Sequence, residues 1–326
     1  MSKKLSFKGP VFIVGMGRSG TKLIRTLLNN HNNISLPTTE TQFIPHLIEE
    51  MGINKTREFE VYIEYLKKTM FFHRVQRHRK LNEDAILQFK SEGTVADFIE
   101  TILKYYSYNF KNFKDYNYIW GDKTPYYVSY IDLLKNTFPK SRILHIVRDP
   151  RDVALSHNKT WGKSIYGPAE EWRSTMENTT DRNYLENSWY KEIFYETLIS
   201  DPDKIMQSVC SFLDIKYDHN MLKIESPVEN LGDARSSSIE SNNKNKFKNF
   251  LSDNQIKRVE SIVKPYLQNK GYELEYNNVK YNPLNNMQKI VYKTIDFIMF
   301  ITHHLFKGEG IKGTGVILAN KIRKIL

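Results

Sequence analysis

The chain has 326 residues, 40% of them hydrophobic, enough for a sizeable core in one large domain with or without an appendage. Lysine and arginine outnumber aspartate and glutamate by 48 to 37, a net +11, and this favours anionic partners: nucleic acid, acidic lipid headgroups, or phosphorylated and sulfated small molecules. The single cysteine, Cys210, excludes a disulfide within the chain, and no run reaches the ~18 apolar residues that cross a bilayer.

The opening "MSKKLSFKGP" lacks an apolar segment and reads as neither signal peptide nor anchor. "VFIVG" (11–15) predicts a buried strand. A helix over 20–30 follows, with Leu23, Ile24, Leu27 and Leu28 on one face. From 42 to 110 the pattern is mostly helical, with a basic middle, "FFHRVQRHRKL", that fits a solvated face or else the rim of a site for an acidic substrate. "YIWGDKTP" (118–125) predicts a short strand running into a loop, with Pro125 opening a helix. "ILHIV" (143–147) is the second clear strand, and Asp149 is placed to cap the helix that begins at Pro150. The stretch 157–190 reads as a loop, and "YKEIFYE" (190–196) as a third strand ending near Tyr195. Asp201 caps a helix opened by Pro202, and Cys210 falls on that helix's apolar face. Ser252 and Gln255 form a capping box for a helix that Gly271 ends. Strands alternating with helices predict an α/β fold with a central parallel sheet flanked by helices. Composition shifts near 278, so residues 1–277 form the expected main domain and 278–326 a basic, amphipathic helical extension.

The chemistry concentrates at "VGMGRSGTKL". Gly15 and Gly20 stand five apart, as in a phosphate-binding loop, but Thr21 precedes Lys22 where that loop has Lys before Thr or Ser. Backbone N–H groups at a strand-to-helix turn converge on an anion, and the helix dipole adds positive potential. Arg18 adds a charged fork. A magnesium-dependent phosphotransferase needs a hydroxyl after the loop lysine and an Asp ending a neighbouring strand. Here "ILHIV" ends in Arg148, which suits a phosphate, so the expected site is metal-free.

Four stretches, "RSGTKLIRTLL", "WGDKTPYY", "FPKSRILHIVRDPRDVALS" and "FYETLISDP", resemble in order and spacing the sulfotransferases that use 3′-phosphoadenosine-5′-phosphosulfate (PAPS). The resemblance covers roughly 9–275. "TETQFIPHL" is similar to a stretch of the tyrosylprotein sulfotransferases and their bacterial relatives. It implies a P-loop-like three-layer fold and transfer of a sulfuryl group to an acceptor hydroxyl without metal. In that pattern Gly17, Arg18, Ser19, Gly20, Thr21 and Lys22 would hold the 5′-phosphosulfate, and Arg18 would also meet charge developing on the sulfuryl group. Glu40 would be the general base and Lys123 would stabilise the bridging oxygen; otherwise Glu40 would lie at a helix start and Lys123 would pair with Asp122. Arg148 and Ser156 would grip the 3′-phosphate, and Tyr195 and Lys246 would contact the nucleotide. Ser236 would lie near the transferred group. Arg151 and Asp152 fit structural ion pairs, and His157 is the next candidate base. Lys22 and Phe247 depart from the family's usual Thr or Ser and Trp.

The alternatives are a P-loop kinase or NTPase, and a nucleotide-binding non-enzyme that associates with membranes. The expected partners are PAPS and a glycan, lipid-linked, small-molecule or tyrosyl hydroxyl, with no nucleic acid. The expected location is cytoplasmic; the C-terminal helices either pack back on the domain or on a second subunit, or lie peripherally on an anionic membrane. The oligomeric state is open.

Overall fold

A computed structural model describes residues 6–225 and 238–307. Its strands are β1 (Val11–Gly15), β2 (Arg57–Glu58), β3 (Glu92–Gly93), β4 (Gly121–Lys123), β5 (Arg142–Val147) and β6 (Tyr190–Phe194). The central sheet has the order β4-β1-β5-β6 with every pairing parallel. β2 and β3 form a separate antiparallel ribbon.

Both faces of this sheet are covered, so its strands carry apolar side chains on both sides. Val11, Ile13, Leu144 and Ile146 turn to one face, against Ile24, Leu27 and Leu28 of the helix Thr21–Asn29 and Met206, Val209 and Cys210 of Pro202–Phe212. Phe12, Val14 and Ile143 turn to the other, against Leu47 of Ile44–Met51, Ile102 of Val95–Tyr105 and Leu134 of Ile131–Thr137. A third cluster joins Val147 to the helices Pro150–Trp161, Tyr166–Asp181 and Asp253–Asn269.

The caps follow the sequence. Asp149 accepts from the Arg151 amide, Asp201 from that of Lys204, and Ser252 with Gln255 makes a capping box. Arg151 forms a buried cluster with Asp149 at 2.7 Å and Glu260 at 2.6 Å, a structural role. Asp152 accepts from the Phe247 amide at 2.9 Å.

Three local expectations are corrected. Tyr195 does not end the third strand; β6 stops at Phe194 and Tyr195 opens the helix Tyr195–Ser200. The stretch 157–190 is not a loop but contains the helix Tyr166–Asp181, whose buried side includes the paired Glu170 and Arg173. The segment after Pro125 begins as a 3₁₀ turn, Pro125–Tyr130, before the α-helix Ile131–Thr137.

The segment after 278 is docked on the domain. Leu284 is buried in the third cluster, and Asn282 donates its amide to the Ser261 carbonyl at 2.7 Å. The helix Asn286–Lys307 follows. The second expected apolar segment, "VILANKIRKIL", lies outside the described residues. No described helix is long and apolar enough to cross a membrane.

Candidate active site

Parallel strands deliver their C-terminal ends to one edge of the sheet, and the candidate site is built there. β1 ends at Gly15, whose neighbour β5 comes so close that an added Cβ would stand 2.5 Å from the Ile146 carbonyl oxygen. The turn through Arg18 (φ 68°) leads to the helix Thr21–Asn29. That helix has no side-chain cap and no acid in its first turn, so its leading N–H groups and dipole are left for an anion. The Ser19 hydroxyl, also in the turn, is buried with no hydrogen-bond partner among the described residues. An unsatisfied buried hydroxyl is costly, and a bound oxyanion would satisfy it. Arg18 Nε donates to Ser156 Oγ at 3.1 Å, and its guanidinium lies over the Trp161 ring at 5.7 Å.

β4 lies beside β1 with Lys123 in register with Ile13, so Lys123 reaches the same edge. Its side chain is 1% exposed, and its ammonium stands 2.5 Å from Glu40 Oε1. Burial pushes the Glu40 carboxyl up, but the Lys123 ammonium outweighs it and the net shift is downward. Burial also lowers Lys123, and Glu40 opposes that only in part. Lys22 lies near enough to lower both groups.

Glu40 is held by its neighbours. Thr41 Oγ1 donates to Asp122 Oδ2 at 3.0 Å and lies 2.7 Å from the Tyr127 hydroxyl, while the Thr41 amide donates to Thr124 Oγ1 at 3.1 Å. Gln42 (φ 56°) reaches back to Glu40 Oε2 at 3.3 Å. Burial raises Asp122 to about 6, with the hydrogen bonds from Thr124 and Thr41 opposing.

At the end of β5, Arg148 spends two N–H groups on neutral acceptors: the Arg18 carbonyl at 3.0 Å and the Asn243 carbonyl at 3.1 Å. Asp152 is more distant, at 3.9 Å. Carbonyls orient a guanidinium without cancelling its charge. Arg148 Nε is buried without a partner among the described residues, and the group stacks over the Tyr195 ring at 4.4 Å. Asn243 Nδ2 donates to the Tyr195 hydroxyl at 2.8 Å.

A sequence model for the sulfotransferase family matches residues 10–219, which contain the cradle, Glu40, Lys123, Arg148 and Tyr195. The chain belongs to the sulfotransferase family. An uncharacterized protein of Aquifex aeolicus (strain VF5) is 23% identical over 235 residues, 68% of this chain and 28% of that one. Protein-tyrosine sulfotransferase 1 of Danio rerio is 22% identical over 237 residues, 71% of this chain and 60% of that one. The chain thus spans less than two thirds of the length of each of these two relatives. The solved sulfotransferase domain of the Synechococcus PCC 7002 olefin synthase superposes with a TM-score of 0.53 at 21% identity, covering 79% of this chain and 97% of that one. At that identity the likeness establishes the P-loop-like fold.

Within this family member, the structure brings Arg18, Ser156, Arg148 and Tyr195 into one contact network, with Glu40 and Lys123 paired beside the cradle. Glu40 is not a helix cap; the next helix begins at Ile44 with Phe43 in the cap position. Lys123 takes Glu40 as its carboxylate partner, and Asp122 faces Thr41. Lys246 is half-buried at the start of the short helix Phe247–Phe250, and Phe247 is buried beneath the Arg151 guanidinium, 4.1 Å from its ring. Ser236 lies outside the described residues. His157 is buried, with Nε2 3.0 Å from the Gly17 carbonyl, and burial lowers it to about 3. It therefore stays neutral, and it props the cradle through a donated Nε2–H. Asn243 carries no local signal in the sequence, and Thr41 and Tyr127, although inside the stretches "TETQFIPHL" and "WGDKTPYY", have supporting roles that appear only in three dimensions. Among the described residues no group of three or more His, Cys, Asp or Glu is placed to hold a metal ion.

Gly20 gives a direct test of the cradle. Its φ is +94°, and a Cβ there would stand 2.3 Å from Cδ2 of the buried Tyr195. Gly20→Ala is expected to cost about 1–3 kcal/mol from backbone strain, with the clash in addition. Thermal unfolding should show a lowered Tm, and an unchanged Tm would contradict the close packing of turn and ring.

Proposed function

We propose that this chain transfers the sulfuryl group of PAPS to an acceptor hydroxyl by in-line displacement. The observation that carries the reading is the Glu40–Lys123 pair, 2.5 Å apart, beside an uncapped helix start at the same sheet edge. The adenosine phosphosulfate supplies the electrophilic sulfur; the chain supplies charge, position and a proton acceptor. Gly17, Arg18, Ser19, Gly20, Thr21 and Lys22 hold the 5′-phosphosulfate through amides, the Ser19 hydroxyl and cationic side chains. Glu40 takes the proton as the acceptor oxygen bonds to sulfur. The bond from sulfur to the bridging oxygen breaks, its electron pair stays on that oxygen, and Lys123 neutralises the charge. Arg148 and Ser156 grip the 3′-phosphate, and Tyr195 and Lys246 contact the nucleotide. Ser236 belongs to the same proposal, near the transferred group. The acceptor is a hydroxyl of a glycan, lipid-linked molecule, small molecule or tyrosyl group.

We also place the protein in the cytoplasm, in peripheral contact with a membrane, with residues 1–277 as the transfer domain and 278–326 as its extension. The purified chain should convert PAPS to 3′-phosphoadenosine 5′-phosphate (PAP) when offered acceptors, read by mass spectrometry of labelled product. No transfer to any hydroxyl class, together with no PAP binding, would overturn the proposal. Arg148→Ala should weaken PAP binding by about 1.5–3 kcal/mol, the loss of a charge-assisted contact, and leave AMP binding nearly unchanged. Calorimetry with both ligands decides, since equal losses would remove Arg148 from the 3′-phosphate.

A further inference from the structure

The helix Asn286–Lys307 is amphipathic with its polar anchor turned inward. Asp296, the one acid in that helix, accepts from the Ser164 amide at 2.9 Å. Lys289 pairs with Glu170 at 2.9 Å, and Tyr292 packs edge-on to Tyr166 with ring centroids 5.6 Å apart. These contacts fix which side faces out. The outward side carries Met287 (77% exposed), Ile290 (65%), Val291 (48%), Ile295 (41%) and Ile298 (53%). Their spacing of three and four residues makes one continuous apolar stripe over three turns. Lys293 is exposed on the same helix, and no acid shares the outward side. In sequence, 307–326 add Lys307, Lys312, Lys321, Arg323 and Lys324 against Glu309.

An apolar stripe beside the exposed Lys293, with its acid withdrawn to the opposite side and a basic stretch of sequence following, matches an anionic lipid surface: apolar side chains enter the acyl boundary and cations meet the headgroups. A second copy of the chain would set like charges against each other.

We propose that this face docks on an anionic membrane, and that the acceptor hydroxyl belongs to an amphiphile in that surface. The second half rests on the sulfotransferase reading. It follows from position. Ser164, which the helix clasps, is three residues beyond Trp161, whose ring underlies Arg18 of the cradle. A docked helix therefore holds the cradle next to the lipid headgroups.

The test is co-sedimentation of the full chain with vesicles of phosphatidylcholine alone or with 30% phosphatidylglycerol, and of Ile290→Glu/Ile298→Glu, two exposed sites, with circular dichroism of the variant to check that its fold is intact. The bound fraction should be at least tenfold higher on the phosphatidylglycerol vesicles, fall with salt, and collapse in the variant. No pelleting, or pelleting that the variant retains, would overturn the docking. So would a concentration-dependent dimer in analytical ultracentrifugation that the variant dissolves. PAP binding by calorimetry, which needs no membrane, separates the two halves. Docking without PAP binding sinks the transferase reading alone. PAP binding with transfer only to water-soluble hydroxyls, and none to hydroxyl-bearing amphiphiles in vesicles, sinks the amphiphile.

Discussion

Replacing Glu40 by Gln should reduce turnover by about 10²–10⁴, the range for loss of a general base, while PAP still binds. Gln keeps the shape and one acceptor but cannot take a proton. It also leaves the ammonium of the buried Lys123 side chain without its carboxylate. Removing one partner of a fully buried pair costs about 3–5 kcal/mol; Glu40 is 28% exposed, so the penalty here is smaller. Unfolding and PAP binding must therefore be measured beside turnover. Near-normal turnover with correct folding would place the base elsewhere. The pH profile adds a check. Glu40 sits below the usual carboxylate range, so in the empty site it loses its charge only as pH falls through that lowered value. Lys123 sits below the usual lysine range, so its charge is lost on the alkaline side earlier than for a free lysine. His157, held at about 3, should add no inflection near neutrality.

Lys123→Ala should lower turnover by about 10²–10³, comparable to removing a donor from a site of developing negative charge. PAP affinity should change far less, because the lysine's stabilisation grows as charge appears on the bridging oxygen. The substitution also frees Glu40 from the cation that lowers it, so its acid limb should move to higher pH. A variant that loses PAP binding and turnover in equal measure would make Lys123 a ground-state phosphate ligand instead. An unmoved acid limb would contradict the pair seen here.

The cradle was legible because all its parts are local: an apolar strand, two glycines and a helix start lie within 11–29. The caps at Asp149, Asp201 and Ser252 were legible for the same reason. The Glu40–Lys123 pair spans 83 residues and depends on the register of β4 against β1, which no local pattern encodes; the joint role proposed for them rests on resemblance. The helix Tyr166–Asp181 was hidden because part of its buried side is charged: Glu170 and Arg173 pair with each other, which weakens the apolar period. The ribbon of β2 and β3 has two residues per strand, too few to alternate. Tyr195 looked like strand because aromatic residues favour strands, whereas the backbone had already turned into the next helix.

The common direction of the four central strands gives the molecule a polarity. Gly15, Lys123 and Val147 leave the sheet at one rim, and Val11, Gly121, Arg142 and Tyr190 enter at the other. The entry rim carries none of the proposed site residues. A carrier joined upstream of β1 would hang from that entry side and leave the rim of the proposed site open. Such a body should behave as a portable cassette: whole-unit transplantation into a longer polypeptide is expected to preserve the proposed site, whereas a circular permutation that cut between Gly15 and Thr21 would sever it.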